Sequence, residues 1–148
     1  MLAKSLVIFI GVGILSGFFY GIYLIDIKDP NQLEYEIGPS LSVLTEKSDY
    51  KKGEQIKIRI VNSGTVPLIF SDASYGLRVT GLSGMLMYSP TSTQVISTLE
   101  PYEEVEFVWD QIKNDGDAAL EGLYKIHAGG IDDQGSKIER SIPINIWK

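Results

Sequence analysis

Few side chains in this sequence can do chemistry. His127 is the single histidine and there is no cysteine. Disulfides, thiolate metal sites, thiol nucleophiles and cysteine-borne lipid anchors are therefore absent, and most acid–base or transition-metal sites lose their usual member. His127 lies in the alternating run Leu123–Ala128, on the face opposite Tyr124 and Ile126, which predicts a solvent-facing imidazole. A Ser–His–acid triad would need a strained nucleophile turn beside it, and no GxSxG occurs. Met85 and Met87, two apart on one strand face, would with His127 make a soft site suited to Cu(I). Packing in a core or against a partner is the commoner use of such thioethers.

The carboxylates form two groups. Glu104 and Glu106 share a strand face with Glu100 and Glu103 nearby, a pairing that invites comparison with a glycosidase, but no aromatic platform accompanies them and a solvated face is expected. The loop Asn114-Asp115-Gly116-Asp117, with Asp110 before it and Glu121 after, offers oxygens to calcium. Gln111 and Lys113 occupy ligand positions of the EF-hand pattern, so an ordinary turn is expected, with calcium binding by 110–121 left open. Gly11-x-Gly13 and Gly129-Gly130 are not phosphate loops, the first lying in an apolar run and the second at a strand end. These residues predict no enzyme, no cofactor, no metal and no small-molecule substrate.

Positioning begins with the amino terminus. Ser5–Ile25, SLVIFIGVGILSGFFYGIYLI, is free of charge and long enough at about 1.5 Å per residue to cross a hydrocarbon core of about 30 Å. We read 1–25 as a transmembrane signal anchor. Lys4 precedes the run and acidic residues follow, which places the amino terminus inside and the rest outside, in a single pass through the cytoplasmic membrane. A cleaved signal peptide would have a shorter core and a small-residue cleavage site, neither of which is seen. A prepilin-type signal would need Gly or Ala where Ser5 stands. Gly13, Gly17 and Gly21 recur every fourth residue and line one helix face, a doubled small-xxx-small pattern that admits a second helix.

Residues 26–38, DIKDPNQLEYEIG, carry five charges and read as a stalk, and 39–148 as one external domain. The domain shows short alternating runs between turns: Leu41–Thr45, Gln55–Val61, Val66–Phe70, Tyr75–Thr80, Met85–Tyr88, Gln94–Leu99, Glu104–Trp109, Leu123–Ala128 and Lys137–Ile146. Ile56, Ile58 and Ile60, with Val105, Phe107 and Trp109, then Tyr124, Ile126 and Ala128, then Ile142, Ile144 and Ile146, should share one core. Pro143 belongs at an edge or bulge. The predicted class is all-β, an immunoglobulin-like β-sandwich preceded by one transmembrane α-helix. Gly81–Pro90 departs from alternation: Leu82, Met85, Leu86, Met87 and Tyr88 leave neither face polar, which either two-sided burial within the domain or contact with a partner protein would explain; partner contact is the role assigned to them. The formal net charge of -6 argues against nucleic acid as that partner.

Tyr50–Asn62, YKKGEQIKIRIVN, with Pro67-Leu68, Thr98-Leu99-Glu100-Pro101, Phe107-Val108-Trp109-Asp110-Gln111 and Gly122-Leu123-Tyr124, resembles the immunoglobulin-like domain family named after a Bacillus intracellular proteinase inhibitor. The resemblance covers most of 40–130 and implies a sandwich; no inhibitory residue is carried over. In overall plan the chain is similar to archaellum stator proteins, which pair one membrane helix with such a domain. The expected function is that of a non-catalytic, single-pass accessory or anchoring subunit, partnered by the membrane and by other membrane or envelope proteins. Two alternatives are a tethered protease inhibitor or regulator, using Asp110–Gly122 as its loop, and an accessory subunit of a membrane enzyme such as a copper membrane monooxygenase.

Overall fold

The computed structural model describes residues 31–148, and among them the fold is all-β, built from ten strands. In chain order these are β1 Leu41–Thr45, β2 Asp49–Lys51, β3 Ile56–Asn62, β4 Leu68–Phe70, β5 Arg78–Gly81, β6 Leu86–Tyr88, β7 Ser97–Leu99, β8 Glu104–Trp109, β9 Gly122–Ile131 and β10 Lys137–Trp147. No helix among the described residues is long and apolar enough to cross a membrane. The expected membrane span at 5–25, with Gly13, Gly17 and Gly21, lies outside the described residues.

A three-stranded sheet runs β1-β3-β8 and a larger one runs β2-β10-β9-β4-β7, with β5 on β9 and β6 on β5. All pairs are antiparallel except β2 with β10. Alternation places the core. Ile56, Ile58 and Ile60 of the small sheet and Tyr124, Ile126, Ala128, Ile142, Ile144 and Ile146 of the large one are all buried in a single cluster. Lys57 and Arg59 point the other way, so each strand puts one face in and one out. At about 25 cal/mol per Å² of apolar surface removed from water, this shared burial is the main favourable term for the fold.

Several elements differ from the sequence reading; β4 begins at Leu68 rather than Val66 and β7 at Ser97 rather than Gln94. The strand expected from Tyr75 starts instead at Arg78, because Tyr75 and Gly76 take positive φ values of 55° and 66° in a turn. The strand β2 was not anticipated: its single buried residue, Tyr50, gives no period to read. Pro143 sits as expected of a residue without an N–H. Asn145 N donates outward from β9 to Ser48 O at 2.8 Å. Pro143, two residues earlier, turns its missing donor to the same side, where β2 does not reach.

The ladder defines two poles. Thr45, Ile56 and Trp109 end their strands at one pole, where Gly122, Trp147 and Gly81 also lie; Leu41, Asn62, Glu104, Ile131 and Lys137 lie at the other. Asn31 enters at the first, the near pole, exchanging hydrogen bonds with the Thr45 backbone at 2.7 and 2.8 Å. The chain then runs along the domain to the far pole, where Glu36 N donates to Ser63 O and Gly38 N to Thr65 Oγ1. Residues 31–38 are thus hydrogen-bonded to the domain.

Candidate functional site

At the near pole the small sheet is closed by Trp109. Its indole is buried, donates from Nε1 to Ile112 O at 2.8 Å, stacks on Tyr88 with ring centroids 5.7 Å apart and meets Tyr124 edge-on. Burial, then the charge of Asp110, raises the Tyr88 phenol above its usual range. Gln111 follows with a positive φ of 63° and a buried amide that clamps the turn between β2 and β3. Its Nε2 donates to Lys51 O and Glu54 O, and its Oε1 accepts from Gly53 N, each at 2.9 Å. The fragments Tyr50–Asn62 and Phe107–Gln111, far apart in the chain, meet through this amide. Sequence reasoning met Gln111 only as a misfit in the EF-hand pattern and as the end of the Phe107–Gln111 fragment, and gave it no structural role, since a single glutamine carries no period.

The β5–β6 hairpin extends beyond this plug. Gly84, at a φ of +83°, makes the turn, with Gly84 N donating to Gly81 O and Gly81 N to Met85 O, both at 3.0 Å. Leu82, Met85 and Leu86 are exposed, whereas Met87 and Tyr88 are partly buried and pack on the core. The five residues expected to contact a partner therefore divide: three form a tip, and two belong to the closure over Trp109. The near-total lack of polar alternation in Gly81–Pro90 has two causes, core burial on one side and exposed apolar surface on the other.

The candidate chemical groups do not converge. Met87 turns inward and Met85 outward with Met87 taken up by the core, and His127 stands on the outer face of the large sheet. The imidazole is half-buried rather than free in solvent, with Nε2 2.9 Å from Thr80 Oγ1, because β5 pairs alongside β9 there. That burial, reinforced by the Arg78 guanidinium, holds its pKa below the usual range. Arg78 in turn pairs with Glu139. Among the described residues no group of three His, Asp or Glu side chains is placed to hold a metal.

In the 110–121 loop the carboxylates serve the loop itself. Asp115 accepts from Asp117 N at 2.9 Å and from Lys113 Nζ at 3.0 Å, Asp110 accepts from Ile112 N, and Ile112 bridges to Ala118. The Asp117 amide and then Lys113 hold the Asp115 carboxyl below its ordinary range. Glu104 is exposed and paired with Arg59 at 2.5 Å, which lowers its carboxyl in the same way. Glu103 accepts from Glu100 N, so the expected glutamate group is a solvated, internally paired edge.

At the far pole a groove of about 430 Å³ lies over Phe70, Gly129 and Gly130, flanked by Ile96 and Ile131 and by the Arg78–Glu139 pair. Gly130 forms its floor because any β-carbon would stand 2.7 Å from Ile69 O and 2.8 Å from the Phe70 ring. At the same pole, buried Asn62 donates to Val66 O and Leu99 O and accepts from Gly64 N, a clamp matching Gln111 at the opposite pole.

No protein-family model matches the chain. No curated protein matches it either. Among solved structures, Spo0M, a sporulation control protein from Bacillus subtilis, is similar with a TM-score of 0.43 and 14% identity, over 75% of this chain and 50% of that one. A β-glucosidase from Listeria innocua, in complex with glucose, is similar with a TM-score of 0.36 and 11% identity, over 74% of this chain and 16% of that one. The chain thus spans half of the first protein's length and a smaller part of the second's.

Proposed function

We propose that this chain is a non-catalytic, membrane-anchored accessory subunit whose external domain is an immunoglobulin-like β-sandwich. The observation that carries the reading is the uncharged run Ser5–Ile25, a few residues ahead of the point where Asn31 joins a folded domain. Its length suits one crossing, and Lys4 with the amino group on the short side ahead of it favours an outward carboxyl side. Two sheets around one core, with a buried tryptophan and no cysteine, support an immunoglobulin-like arrangement without its usual disulfide. Gly13, Gly17 and Gly21 supply the face through which the anchor would meet a helix of a partner membrane protein.

Two measurements test this. Protease added to intact cells should digest 39–148 and leave the first 25 residues protected; recovery of a soluble mature protein lacking 1–25 would overturn the anchor. Gly17→Ile should reduce co-purification of partner proteins in mild detergent while insertion stays normal, because isoleucine holds a neighbouring helix away yet is at least as apolar. Undiminished recovery would remove the helix as the contact.

A further inference from the structure

Resting on the membrane-anchor reading above, we infer that the near pole of the domain is a lipid-facing surface, with the β5–β6 tip and Trp147 seated in the interfacial layer of the bilayer. Hairpin turns ordinarily carry Gly, Asn, Asp or Ser. This one has Ser83 and Gly84 at its turn but flanks them with Leu82 and Met85, exposed to 61% and 64%, followed by Leu86 at 52%. The pairing of Gly81 with Tyr124 brings Leu82 to the level of Leu123, and Leu123 pairs with Asn145, two residues before Trp147. Leu123 and Trp147 lie on the outer face of the large sheet and are each about half exposed, at 51% and 50%. Leu123 and Trp147 thus extend the apolar surface of the tip across β9 and β10 along the near pole, with Asn145, bonded to Asp49, beside them.

The length of chain before Asn31 decides what covers this surface. From Ile25 to Asn31 the chain can span at most about 20 Å, and Asn31 is fastened at the near pole by its two bonds to Thr45. The near pole is therefore tethered against the outer boundary of the span, where the interfacial layer adds several ångströms on each side of the hydrocarbon core. Leucine, methionine and tryptophan are the side chains that enter such a layer, and indole is enriched there.

The full-length chain tests this in vesicles of phosphatidylcholine and phosphatidylglycerol whose acyl chains are brominated. The protein has two tryptophans, and Trp109 is buried, so Trp109→Phe leaves Trp147 as the reporter. Having no cysteine, the chain also accepts Leu82→Cys with an environment-sensitive label, and Ile37→Cys as a far-pole control. The expected result is loss of Trp147 emission and a blue-shifted, quenched label at 82, with the label at 37 unchanged. Equal, unquenched emission at 82 and 37 from a chain that resists alkaline extraction would overturn the lipid-facing assignment while sparing the anchor. Release of the chain by alkaline extraction would overturn the anchor itself. The label at 82 provides a reading in a chain that keeps Trp109, should Trp109→Phe fail to fold. A photo-crosslinker at 82 that traps a protein in native membranes, with no quenching in vesicles, would assign the tip to a protein and overturn the inference.

Discussion

The two poles of the domain are closed by the same device and finished differently. At each, a buried side-chain amide holds a turn against its neighbours: Gln111 clamps Lys51, Gly53 and Glu54 at the near pole, and Asn62 clamps Gly64, Val66 and Leu99 at the far one. Beyond the clamps the poles diverge. The near pole has an aromatic plug, Tyr88 on Trp109, and an exposed apolar tip; the far pole has a glycine-floored groove flanked by the Arg78–Glu139 pair. Clamps of this kind are set by backbone geometry and are indifferent to surroundings. Surface chemistry is free to vary around them, which is why the poles can present different surfaces while sharing that device.

The comparison breaks most severely if the plug is removed. Trp109→Ala should cost roughly 3–5 kcal/mol, the loss of a fully buried aromatic with no room to collapse, and should lower the melting temperature sharply. An unchanged melt would show that the near pole is not held by its aromatic ring. Asn62→Ala is the far-pole counterpart and should cost about 2–3 kcal/mol in urea denaturation, because Val66 O and Leu99 O would lose their donor. Gly130→Ala, which drives a β-carbon against Ile69 O and Phe70, should cost roughly 1–3 kcal/mol. The near-pole substitution Gly84→Ala tests the turn instead and acts through its positive φ.

Smaller effects sharpen the picture. Burial and Arg78 depress the His127 pKa in the folded state, so below the ordinary value of 6.5 the unfolded chain takes up the proton more readily. Stability should be fully present above that value and decline as pH falls through it toward the lower folded pKa. His127→Gln should flatten the change in melting temperature between about pH 7.5 and about pH 5.5; an identical slope in both proteins would place the pH dependence elsewhere. Smallest of all, Leu82→Ser and Met85→Ser should alter stability by no more than about 0.5 kcal/mol, since both side chains are exposed and only the surface they present changes. A larger loss would mean that the tip is part of the core.

Period-two alternation was enough to locate most strands and the buried faces of β3, β8, β9 and β10, because a face turned toward the core must be apolar at every second residue wherever the chain runs straight. The uncharged length of Ser5–Ile25 and the absence of cysteine are likewise properties of the sequence alone. Tertiary structure decided what depends on neighbours distant in the chain. Tyr50 belongs to a strand only because β10 lies parallel to it, Gln111 and Asn62 matter only because turns far away offer them carbonyls, and His127 is shielded by β5. It also divided one apolar run in two, turning Met87 and Tyr88 onto the core and leaving Leu82, Met85 and Leu86 outside. No local pattern carries that division, since hydrophobicity records that a side chain avoids water but not which surface will cover it.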